Sequence, residues 1–163
     1  MSRSLIAGSA LALCLVAQPA QAGTSDGTMV VSATVLESCL IVASPMTFGN
    51  ITLTGSDIDS TSTLTLTCTP NADFDILMND GVNADSGQRR LANVGASEFI
   101  PYDIYLNSAR TDRWGNTIGT DTLAGTADGL GQASYTAYGR IGSGVAAVTD
   151  GAYSDAITVT VSF

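Results

Sequence analysis

The feature that most constrains this chain is a period-two alternation that recurs along its length, with almost no helical periodicity. Leu64, Leu66 and Cys68 alternate with the threonines between Thr61 and Thr69. Phe74, Ile76 and Met78 alternate with Asp73, Asp75 and Leu77. Tyr102, Ile104 and Leu106 alternate with Asp103, Tyr105 and Asn107. Met29, Val31, Ala33 and Val35 form an earlier run of the same kind, and Tyr135 to Ile141 a later one. The chain closes on Ile157, Val159, Val161 and Phe163, separated by Thr158, Thr160 and Ser162. Successive side chains of a strand point to opposite faces, so each run reads as a strand with one buried face. Asn79-Asp80-Gly81, Asp85-Ser86-Gly87, Asp128-Gly129 and Asp150-Gly151 punctuate the runs as turns. Six or seven short strands in one domain predict an all-β, immunoglobulin-like β-sandwich.

The first 22 residues read differently. Arg3 precedes an uncharged, mostly apolar stretch from Leu5 to Ala17, and Ala20-Gln21-Ala22 is a small-x-small cleavage site. That is the pattern of a secretory signal peptide. Cutting after Ala22 leaves 141 of the 163 residues, enough for one domain. The stretch is shorter than the roughly 20 residues a membrane helix needs, and no later segment approaches that length. Direct membrane insertion is therefore not expected.

Charge removes further function classes. The chain has no His and no Lys, and its six basic residues are all Arg. Its net charge is −9, or −10 once Arg3 has gone with the signal. Such a surface repels phosphate backbones, so no nucleic-acid partner is expected. Without His there is no Ser-His-Asp triad and no His-ligated zinc. Without Lys there is no Schiff base and no phosphate-binding P-loop lysine. No catalytic residue, cofactor or metal ligand is assigned.

Removal of Cys14 with the signal leaves Cys39 and Cys68, an even pair in an exported chain, and a disulfide is expected. The alternatives are a redox pair, which usually sits as C-x-x-C, or two metal ligands without a histidine to help them.

The two ends of the mature chain stand out. It begins with a small polar leader and an alternating run before the first cysteine. It finishes on an alternating strand whose last residue is Phe163. An unpaired apolar strand edge is an aggregation hazard unless something covers it, and another chain is a suitable cover.

With these pieces in order the sequence resembles the spore coat protein U domain family, the subunit type of archaic chaperone–usher pili. The resemblance is carried by Val35-Leu36-Glu37-Ser38-Cys39, Met46-Thr47-Phe48-Gly49-Asn50 and Leu64-Thr65-Leu66-Thr67-Cys68-Thr69. It continues through Arg89-Arg90-Leu91, Ile100 to Leu106 and Arg113-Trp114-Gly115-Asn116, and ends on Gly151 to Phe163. It implies an incomplete immunoglobulin-like sandwich, completed by a donor strand from a neighbouring subunit. A periplasmic chaperone would first lend a strand. At the outer-membrane usher the extension of the next identical or related pilin subunit would replace it. Carried onto this chain, residues 23–35 would be the donor extension, with Met29, Val31, Ala33 and Val35 as its plugs. Residues 36–163 would be the pilin-like domain, with Ile157, Val159, Val161 and Phe163 lining the acceptor groove. The product would be a surface pilus that supports adhesion or biofilm formation. The alternative is a self-contained secreted sandwich that binds a ligand or coats a surface.

Other signals have plainer readings. Gly142-Ser143-Gly144-Val145-Ala146-Ala147 fits a loose dinucleotide pattern, but Asp150-Gly151 breaks the chain where a helix must follow. Asp57, Asp59, Asp73, Asp75, Asp80 and Asp85 lack the spacing of a calcium loop. Trp114, the only Trp, is expected to pack rather than to adhere. Asn50-Ile51-Thr52 is a glycosylation sequon, set aside for a bacterial-looking exported chain.

Overall fold

The computed structural model describes residues 21–52 and 55–163. The signal-peptide reading of residues 1–22, Cys14 included, falls almost wholly outside them. Val35–Phe163 forms one compact unit. The segment before it, described from residue 21, carries no strand and its side chains are exposed.

The described residues form ten strands and no helix. They are β1 (Cys39–Ala43), β2 (Ile58–Cys68), β3 (Asp73–Met78), β4 (Arg90–Asn93) and β5 (Phe99–Pro101), followed by β6 (Asp103–Tyr105), β7 (Leu123–Thr126), β8 (Gln132–Ile141), β9 (Tyr153–Ser154) and β10 (Val159–Ser162). All pairings are antiparallel. One sheet has the order β1-β2-β8-β6, a second β10-β3-β7, and a small third β5-β4-β9.

The alternation does what the sequence demands of it. Leu64 and Leu66 of β2 face inward with 1% and 0% exposure, while Thr61, Thr63, Thr65 and Thr67 face solvent. β2 pairs with β8 from Ile58↔Ile141 to Thr67↔Gln132. Phe74, Ile76 and Met78 of β3 face them from the second sheet, and Ile104, Ala137 and Ile141 complete the layer between. Slipping any of these ladders by one residue would turn its apolar set to water, which fixes the register.

Two buried groups tie the layers together. Trp114 is wholly enclosed, and its indole N–H donates to the Ile76 carbonyl at 2.8 Å. The packing role expected for it is the one it has. Among the described residues Arg89 is the one buried polar side chain, and it is charged. It donates to the carbonyls of Met78 (3.2 Å), Asn79 (2.8 Å) and Trp114 (2.7 Å) and pairs with Asp103 at 2.9 Å. A buried charge is tolerated only when paired and hydrogen-bonded, and Arg89 meets both conditions.

Sequence and structure differ in strand number. The run Met29 to Val35 has the alternation of a strand but no ladder partner. Alternation specifies a face, and a strand needs in addition a neighbour for its backbone groups. Conversely β4, β5, β7 and β9 hold two to four residues each, too few for periodicity to show. β1 reads Cys-Leu-Ile-Val-Ala, an unbroken apolar run that hides its alternation.

Cys39 and Cys68 sit directly opposite each other in the β1–β2 register and are bridged. The bridge ties an edge strand to the sheet across a sequence separation of 29 residues. Replacing both cysteines by Ser should cost about 3–4 kcal/mol. Urea unfolding measures it, and an unchanged midpoint would show the bridge to be dispensable.

Candidate functional site

Most of the core is sealed by neighbouring strands, but one seam is not. β1 is an edge of the first sheet and pairs only with β2. β10 is an edge of the second and pairs only with β3. The two edges lie side by side, with Cα atoms within 8 Å, and no ladder joins them. Their inward side chains show the consequence. Ile41 of β1, Val159 and Val161 of β10, and Ile157 just before β10 are only half-buried, whereas Ile76 and Met78 on β3 have 0% and 2% exposure. A groove of about 300 Å³ opens at the end of this seam where β1 finishes and β10 begins. Its walls include Ala43, Met46, Ile157 and Val159, and its floor is the core itself, Leu64 and Met78 among others.

Both walls are held firmly. On one side the disulfide fixes Cys39, and the Ser44 N–H donates to the Thr63 carbonyl at 2.9 Å. On the other, Asn79 clamps the start of β10. Its side-chain oxygen accepts from the Thr158 N–H at 2.9 Å, and its own N–H donates to the Thr158 carbonyl at 3.1 Å. Arg89 in turn holds the Asn79 carbonyl from beneath. At the polar end of the groove the Asp155 carboxylate accepts from the Tyr102 hydroxyl at 2.9 Å and from the N–H groups of Val82 and Asn83 at 3.1 Å. Burial, and then the hydrogen bond to Asp155, raise the pKa of Tyr102 far above its ordinary value. The groove is therefore preformed, apolar along its length and polar at one end, the usual build of a binding site.

The structure distributes the sequence-predicted residues unevenly. Ile157 and Val159 line the groove, and Val161 continues the same face of β10. Phe163, expected on the same wall, is 54% exposed and lines a separate shallow depression with Phe74 and Gly125. Met29, Val31 and Val35 are 83–85% exposed and Ala33 is exposed too, all outside any strand. Sequence reasoning missed Ala43, Met46, Phe48, Tyr102 and Asp155 as groove residues. Met46 and Phe48 alternate and could have been noticed. Tyr102 and Asp155 lie 53 residues apart, and only the fold brings them together.

The remaining candidate sites resolve into structure. Gly142 to Ala147 belongs to the loop after β8. Asp57 and Asp59 pair with Arg140, Asp80 with Arg113, and Asp85 with Arg90. Asp73 and Asp75 accept hydrogen bonds from Thr126 and Thr122 across the β3–β7 region.

Fold and groove together define an immunoglobulin-like β-sandwich with one uncovered seam. The Spore Coat Protein U domain model matches residues 25–160, and the chain belongs to that family. It is 27% identical to Protein U of Myxococcus xanthus over 178 aligned residues, covering 99% of this chain and 98% of that protein. It also superposes, with a TM-score of 0.58 and 28% identity, on a chain of the crystal structure of the CsuC–CsuE chaperone–tip adhesion subunit pre-assembly complex from archaic chaperone-usher Csu pili of Acinetobacter baumannii. That match covers 80% of this chain, which spans 40% of the length of the other.

The Tyr102–Asp155 contact yields a pH prediction. The folded state keeps the Tyr102 proton that the unfolded chain releases above about pH 10. Folding then holds more protons than unfolding does, so stability should fall as pH rises beyond that value. Tyr102→Phe should flatten this alkaline loss. Urea midpoints between about pH 8 and about pH 11 measure it, and an equally steep loss in the variant would reject the assignment.

Proposed function

We propose that this chain is a structural subunit of a surface fibre, assembled by strand exchange between copies. The observation that carries the reading is the pair of unpartnered edges flanking exposed core. Once the edges part to about twice the strand spacing, roughly 10 Å, a strand laid between β1 and β10 gives ladder partners to both edges and covers Ile41, Val159 and Val161 in one step. This is strand addition to a sheet edge, in which backbone bonds supply affinity and alternate side chains supply specificity.

The strand proposed to fill it is residues 29–35 of a second copy, with Met29, Val31, Ala33 and Val35 facing the groove. Each large apolar side chain buried there contributes roughly 1.5–3 kcal/mol. Folding the segment back beside its own β1 would need a tight turn at residues 36–38. Thr69 restrains that stretch instead: its N–H donates to the Ser38 carbonyl at 2.8 Å, and its hydroxyl oxygen accepts from the Ser38 N–H at 3.1 Å. This favours a donor that serves another molecule. The Csu pilus complex above supports a periplasmic chaperone as the first partner, with an outer-membrane usher and further pilin subunits after it. Residues 1–22 would direct export and residues 23–35 would be the extension. The fibre would support adhesion or biofilm formation, a structural role rather than a catalytic one.

The test is assembly in cells. Val31→Asp places an unpaired charge on the donor face, where burial is very costly. Fibres should disappear while chaperone-bound subunit accumulates, and the mature chain should begin at Gly23 by N-terminal sequencing. Val159→Asp, on the groove wall, should instead abolish chaperone capture. Charge reversal at Asp73, outside the groove, should do neither. Normal fibres from Val31→Asp would reject the donor assignment and favour a self-contained sandwich.

A further inference from the structure

After β1 the chain leaves the ladder, and residues 44–51 cross the inner face of the first sheet as a strap. Side-chain hydroxyls hold it. Ser62 Oγ donates to the Ser44 carbonyl, and Ser60 Oγ donates to the Thr47 carbonyl at 2.6 Å. Both serines occupy the face of β2 that carries Leu64 and Leu66 farther along. Opposite Ser60 in the ladder is Gly139, in the middle of β8. A Cβ at Gly139 would collide with Met46 Sδ and come within 3.1 Å of the Phe48 ring. A glycine inside a strand weakens it and marks a close approach. Here it is the notch in which Met46 sits. Phe48 packs edge-on against Tyr102, with centroids 6.1 Å apart.

Met46 and Phe48 face two spaces. On one side they line the groove with Ile157 and Val159. On the other they line an open cavity of about 830 Å³ whose walls include Ile51, Leu91, Ile100 and Val148. The strap is the partition between them. Room lies behind it between mixed apolar and polar walls, two hydroxyl bonds and the Ser44 N–H to Thr63 carbonyl bond hold it down, and methionine is the most adaptable of apolar side chains.

We propose that this strap is a displaceable occupant of the groove. Met46 and Phe48 cover the end of the exposed core while no partner strand is bound. When residues 29–35 of another copy arrive, the two side chains shift into the cavity behind. The inference rests on the strand-acceptor reading. The incoming strand then competes with a resident for the same apolar surface. The firmness of Met46 in its notch sets the rate of capture, and the free subunit is spared indiscriminate association through a fully open core.

The experiment uses the full mature chain and a fluorescent synthetic peptide of residues 25–37, with capture followed by anisotropy. Met46→Ala empties the notch and Ser60→Ala releases one strap bond. Each should raise the capture rate by about tenfold. Gly139→Ala fills the notch and should act like Met46→Ala. The Met46→Ala/Gly139→Ala double variant should be no faster than the faster single one, because both act through one contact. Ser60→Ala, the mildest change, guards against a result that reflects misfolding. Capture by all variants at the wild-type rate or below would overturn the proposal and make the strap a fixed wall. Failure of every protein, wild type included, to take up the peptide would overturn the strand-acceptor reading and the strap proposal with it. Uptake of a Val31→Asp peptide as readily as the native one would overturn the donor assignment alone.

Discussion

Two sheet edges facing each other across uncovered core are the constraint on which the rest of this structure depends. An edge strand presents unpaired N–H and C=O groups, and a folded protein must pair, cover or blunt them. In this chain β1 and β10 leave the edges unpaired and place half-buried apolar side chains between them. Elsewhere the interior is closed to the point where Leu66, Ile76, Trp114 and Ile141 have 0% exposure. The seam and the cavity behind residues 46–51 are thus the open parts of a sandwich whose central layer is tightly packed.

Keeping such a seam open requires that its walls not collapse onto each other. The disulfide pins β1 to β2, and the Asn79–Thr158 pair pins the start of β10. Arg89 extends this clamp into the core by gathering the carbonyls of Met78, Asn79 and Trp114 around one guanidinium. Its partner Asp103 also accepts from Arg113 at 2.9 Å, and Arg113 reaches Asp80 at 2.7 Å. This relay runs from the fully buried Arg89 to the half-exposed Asp80. Breaking one member of a buried charge network is more damaging than replacing the whole network by apolar groups, because the survivor is left unpaired. The floor beneath the groove is therefore held by directional bonds as well as by apolar packing.

The acidic surface fits the same picture. All five Arg side chains of the described residues pair with aspartates, which leaves an excess of carboxylates facing water. Net charge far from zero keeps proteins apart in solution.

What the sequence by itself determined is the set of buried faces. Period-two alternation in β2, β3, β8 and β10 had one physical solution, since a strand with an apolar and a polar side must bury the first. The cysteine pair left after the expected signal peptide marked the bridge as an expectation, and the β1–β2 register sets the two residues opposite each other. Only the tertiary structure decided which edges meet. Nothing in Tyr102 or Asp155 announces the groove, because they come from distant stretches of chain and acquire a common role when the two sheets pack. The Phe163 position shows the converse. The alternation put it on the groove face, yet at the end of an edge strand no neighbour closes over it, and it stays half in water. Periodicity tells a residue which way to point, and only packing tells it what it will touch.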